Sequence, residues 1–175
     1  HSRIGFAVKH MMVSTVRGEF KTYTGSLQLD ESDFTRSVIT GEIDVASLDT
    51  RDEGRDAHLK GADFFDVENH PKITFKSTRI EPQGDNEYVV YGDLTIRGVT
   101  REIAVSTEYS GKHQNPWGTT VTGFSGTATI NRKDFGLEWN VALETGGILV
   151  GEKVKLEIEV ELHQQAAPVA EAASV

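Results

Sequence analysis

The chain has 175 residues, with 18 Lys plus Arg against 27 Asp plus Glu and a formal net charge of −9. That length suits one domain with its own core, and the missing basic stripe argues against nucleic acid or an anionic lipid surface as a partner. The absence of cysteine excludes disulfides, thiol nucleophiles and cysteine-held metals, and no apolar run approaches the roughly 20 residues a membrane-spanning helix needs.

Alternation with period two dominates and predicts eight strands, over 3–9, 14–29, 36–46, 71–80, 86–96, 101–110, 119–131 and 152–163. The first puts Ile4, Phe6 and Val8 on one face. The chain begins at His1, already in this run, so a leader could have been removed: the compartment is periplasmic or secreted in that case and cytoplasmic otherwise. In the second strand the phase changes between Phe20 and Leu27, which predicts a bulge or bend at Gly25. The third strand alternates Ile39, Gly41, Ile43 and Val45 with Thr40, Glu42 and Asp44.

The stretch from Ser47 to Pro71 breaks the pattern. Thr50 followed by Glu53 reads as a capping box that opens a helix over Arg51–Lys60, ended by Gly61. Ala62 to Val67 reads as a second short helical turn. Strands resume with Ile73 and Phe75, then with Tyr88, Val90, Gly92, Leu94 and Ile96 on one face. Arg97-Gly98-Val99-Thr100 reads as a hairpin into Ile103, Val105, Thr107 and Tyr109. Phe124, Gly126, Ala128 and Ile130 form the next apolar face. In the last strand Val154, Leu156, Ile158, Val160 and Leu162 oppose Lys153, Lys155, Glu157, Glu159 and Glu161. Residues 164–175 have no periodicity and read as a flexible tail, which leaves 1–163 as the folded domain.

Short strands with one apolar face each predict an all-β fold, a sandwich or a barrel, and exclude a doubly covered parallel sheet. Eight strands are about the number whose closed barrel holds a small ligand, and closure removes exposed edges. Glycines inside the strands, among them Gly5, Gly18, Gly41, Gly92, Gly123 and Gly126, fit barrel curvature alone or a wall around a cavity.

The densest polar group is Arg51, Asp52, Arg55, Asp56 and His58. Asp52 and Asp56, like Arg51 and Arg55, stand four apart on the predicted helix, so the group reads as a surface ion-pair network bracing that helix, while Asp56 beside His58 is also a combination that could do acid–base work. The six histidines lack HxH or HxxxH spacing, so no metal site is expected, and there is no phosphate loop or nucleophile elbow.

Several segments resemble the YceI-like family. They are Arg55-Asp56-Ala57-His58-Leu59, then Asp63-Phe64-Phe65-Asp66-Val67, then Pro71-Lys72-Ile73-Thr74-Phe75-Lys76-Ser77. The opening His1-Ser2-Arg3-Ile4-Gly5-Phe6 with His10, the run Gly92 to Thr100, and Asn131-Arg132-Lys133-Asp134-Phe135-Gly136 fit as well. The resemblance implies a lipocalin-like, eight-stranded antiparallel barrel that binds a polyisoprenoid or quinone-like lipid in an apolar pore, with a short helical segment between strands 3 and 4 as its cover. It implies no enzymatic activity and no cofactor beyond such a lipid.

The leading expectation is therefore binding, transport or storage of a long-chain isoprenoid or fatty-acyl ligand, by a protein that does not span a membrane and could form a homodimer. The expected lining is Phe6, Val8, Phe20, Ile43, Phe75, Val90, Leu94, Ile103, Phe124, Leu156 and Ile158, with Met11, Leu59, Phe64, Phe65, Phe135 and Trp139 at the ends. Arg55, Asp56, His58, Asn131 and Arg132 match polar family motifs and are expected to meet a head group or brace the fold. Two alternatives remain: an enzyme acting on a lipid head group through His58 and Asp56, and a structural barrel filled by its own side chains.

Overall fold

The computed structural model describes residues 1–143 and 147–164. The tail expected over 164–175 lies outside the described residues except for Gln164, whose N–H donates to the Thr120 carbonyl at 2.9 Å.

The alternating runs form one curled antiparallel sheet of ten strands. In chain order they are β1 (Arg3–His10), β2 (Ser14–Phe20), β3 (Tyr23–Gln28), β4 (Val38–Asp44), β5 (Leu48–Asp49), β6 (Lys72–Gly84), β7 (Glu87–Ile96), β8 (Val99–Gln114), β9 (Thr120–Asn131) and β10 (Val150–His163). Hydrogen bonding orders them β3-β4-β6-β7-β8-β9-β10-β1-β2-β5. Register puts the apolar residues on one concave face: Phe6 faces Leu156 and Gly18, and Leu156 faces Ala128.

This differs from the expected eight strands and closed ladder. The single run over 14–29 is two strands, and the break falls at residues 21–22 rather than at Gly25. There the N–H groups of Lys21 and Thr22 both donate to Ser47 Oγ, at 3.1 and 3.0 Å, and Asp44 N–H donates to the Thr22 carbonyl at 2.9 Å. These bonds turn the chain away from β1 toward β4. The sheet is thus a curled half-barrel, with β3 an edge strand paired only to β4. The added strand β5 pairs with the end of β2, Glu19 opposite Asp49.

One α-helix, α1 (Glu53–Lys60), lies between β5 and β6. Its cap is Asp52, whose side chain accepts from Arg55 N–H, so the helix starts after the predicted Thr50 cap. The expected second helical turn over 62–67 is a set of hydrogen-bonded turns, with Phe65 N–H donating to the Leu59 carbonyl and Val67 N–H to the Lys60 carbonyl, both at 2.9 Å. Arg97 and Gly98 take φ of 50° and 74° in the β7–β8 hairpin, the left-handed pair that a two-residue turn matching the strand twist requires. Among the described residues no helix is long and apolar enough to cross a membrane.

Two apolar clusters close the ends of the curl. One gathers Phe20, Val45, Leu48, Phe64, Leu94, Phe135 and their neighbours beneath α1 and the turns that follow it. The other is built on Phe34, in the 3-10 turn Phe34–Arg36, which sits 4.5 Å from both the Tyr88 and Tyr109 rings and 5.9 Å from Phe124.

Candidate functional site

Between the two clusters the concave face does not meet itself. It encloses a cavity of about 440 Å³, within the range of small-molecule pockets and far larger than the few-water void a self-filled barrel would leave. Phe6, Val8, Phe75, Ile103, Leu156 and Ile158 point inward yet keep partial exposure, because they face this space. Phe75, Ile103 and Leu156 pack against both clusters and so mark its middle.

All the expected lining residues border the cavity except two. Met11 is 48% exposed in the β1–β2 turn, where its φ is 52°, so it points to solvent beyond the end of the strand. Trp139 packs outside the wall, its ring 5.4 Å from Phe64 and 4.7 Å from His58. Leu59, Phe64 and Phe65 border the cavity from the α1 side. Arg97 Nη1 donates to the Phe64 carbonyl at 2.8 Å and ties this cover to the β7–β8 hairpin.

Of the five polar candidates only Arg132 borders the cavity. Asp56 Oδ1 accepts from Thr50 N–H at 2.9 Å and Thr50 Oγ1 at 2.5 Å, while Arg55 donates Nε to Thr50 Oγ1 and Nη2 to the Thr50 carbonyl, at 2.8 and 2.7 Å. These side chains brace α1 against the segment after β5. His58 Nε2 lies 2.9 Å from Asp63 Oδ2 on the exposed side of the helix. Asn131 Oδ1 accepts from Lys133 N–H at 3.0 Å and caps the turn Arg132–Phe135. Asp56 and His58 therefore do not meet at the cavity, contrary to the geometry an enzyme based on that pair requires.

Residues outside the expected lining also border the space. Ile4, Ile73, Val154 and Val160 stand on the same alternating faces as the predicted residues, so period two already pointed to them. Ser2, Tyr23, Thr24, Ser26, Glu42 and Glu161 carried no such signal. They cluster beside the unpaired edge of β3 and the facing ends of β1 and β10, where Ser2, Thr24, Gly25 and Ser26 are exposed. The cavity opens along this edge. Gly25 and Gly41 pair across β3 and β4 in its wall. A Cβ on Gly41 would meet only the Thr24 carbonyl at 3.9 Å, so this part of the wall is bare backbone.

The model of the YceI-like domain matches residues 1–162. The chain belongs to the YceI-like family. A UPF0312 protein of Staphylococcus epidermidis is 44% identical over 162 residues, which is 92% of each chain, and a UPF0312 protein of Staphylococcus aureus is 41% identical over the same length. Among solved structures, Burkholderia cenocepacia BcnA superposes with a TM-score of 0.78 at 26% identity, over 92% of this chain and 96% of that one. A polyisoprenoid binding domain from Saccharophagus degradans superposes with a TM-score of 0.69 at 14% identity, over 94% of each chain. At that identity the likeness is one of fold.

Proposed function

We propose that this YceI-like protein binds one long-chain lipid, a polyisoprenoid or a similar amphiphile, within the curled sheet, and carries or stores it there. The single observation behind this reading is the cavity: about 440 Å³, walled by the inward faces of the strands and open along β3. The polyisoprenoid binding domain of Saccharophagus degradans agrees with it at the level of fold.

The driving force is removal of the tail from water, about 0.8 kcal/mol for each methylene buried. Ten such groups give about 8 kcal/mol before association costs, which corresponds to roughly micromolar binding. The wall is almost entirely hydrocarbon, so chains long enough to fill the cavity are discriminated loosely by length.

A titration with geraniol, farnesol and geranylgeraniol tests the reading. Affinity should rise with each isoprene unit and level off once the cavity is filled. Failure of every member to bind would overturn it.

A further inference from the structure

One charged side chain, Arg132, stands among the apolar residues at an end of the cavity. It borders the end away from the β3 opening, with Ile130, Phe135, Leu137 and Val150. Arg132 is only 4% exposed. Its Nε donates to the Gly151 carbonyl at 2.8 Å, Nη1 to the Leu137 carbonyl at 2.5 Å and Nη2 to the Val150 carbonyl at 3.3 Å.

A guanidinium has five N–H donors, so these bonds fix the group and still leave donor capacity. They also leave its charge without a directly bonded counter-charge, because carbonyls are neutral dipoles and the Glu152 carboxylate acts on it only at longer range. Among the described residues Arg132 has no ion-pair partner; the Glu152 carboxylate is engaged by Lys133 at 2.9 Å. Desolvation holds Arg132 below the ordinary arginine value, yet arginine does not give up its proton at neutral pH. A buried cation beside an apolar cavity is most favourably met by an anionic acceptor, and a guanidinium fits a carboxylate with two parallel hydrogen bonds.

We propose that the cavity takes its lipid head-inward: a carboxylate end group lies on the Arg132 guanidinium and the hydrocarbon tail runs toward the β3 opening. This rests on the lipid-binding reading above and narrows its ligand to acidic lipids.

The test is a set of probes of one chain length: oleic acid, oleyl alcohol and oleylamine, titrated at pH 8 into the full chain and into Arg132→Gln and Arg132→Lys. The acid should bind at least about tenfold more tightly than the alcohol, the scale of a hydrogen bond to a charged group, with the amine weakest. Arg132→Gln should close the gap between acid and alcohol, and Arg132→Lys should keep part of it. Equal affinity of the unsubstituted protein for acid and alcohol, or a preference for the amine, overturns the assignment while leaving lipid binding intact. Loss of binding to all three probes, with the prenols also rejected, overturns both. The unsubstituted protein alone decides these outcomes if the variants do not fold.

Discussion

Gly92 and Gly41 occupy similar places, inside strands with their bare side turned to the concave face, yet their roles differ. A Cβ on Gly92 would stand 2.3 Å from Phe75 Cζ, so this glycine makes room for a ring of the wall. A Cβ on Gly41 would enter open space. Gly92→Val should therefore destabilise the protein by about 1–3 kcal/mol in urea unfolding, the scale of overpacking. Gly41→Val should keep the stability within about 1 kcal/mol while weakening farnesol binding. The positions of these glycines were legible in the alternation, but their partners were not, because Phe75 reaches Gly92 only through the register of neighbouring strands. Acid sensitivity also belongs to this scale. The Ser32 hydroxyl holds Asp30 below the ordinary carboxylate value, as Lys21 does Asp49 and Lys133 does Glu152. Folded values lower than unfolded ones contribute stability that is present above the usual carboxylate range and lost as pH falls through the folded values. Urea midpoints should thus be level near neutrality and drop below about pH 4; a flat profile down to pH 2 would contradict these assignments.

At the scale of elements, the segment from Thr50 to Lys60 shows how a correct pattern can hide its partners. Thr50 and Glu53 have capping-box spacing, but Arg51 adopts φ of 64° and Asp52 takes the cap. Thr50, 4% exposed, instead joins Asp56 and Arg55. The polar motif that resembles the family pattern is thus a brace for α1, and sequence spacing alone could not separate a brace from a head-group site. Thr50→Val should leave Asp56 and Arg55 short of partners, destabilise the protein by about 1–3 kcal/mol and speed amide exchange over residues 53–60. Unchanged exchange there would exclude the bracing role. The long run over 14–29 was legible as strand, but its break at residues 21–22 depends on Ser47, too distant in sequence for local pattern to reveal.

For the whole molecule, the all-β class and the apolar inward face follow from period two, most plainly in β10. Whether that face meets itself or surrounds space does not, because alternation fixes which side chains point inward and not how far apart the walls stand. The distance is set by the curl of the sheet, by the Phe34 plug at one end and by the Leu59, Phe64 and Phe65 cover at the other. The opening was equally hidden, since it arises where β3 parts from β1. The central claim is that this space holds one lipid. Native mass spectrometry of the purified protein, followed by extraction and identification of any bound molecule, tests it most directly. The expected spectrum shows the folded chain carrying one long-chain lipid, or taking up one equivalent when farnesol is added. A chain that arrives bare and stays bare in excess prenyl lipid would contradict it.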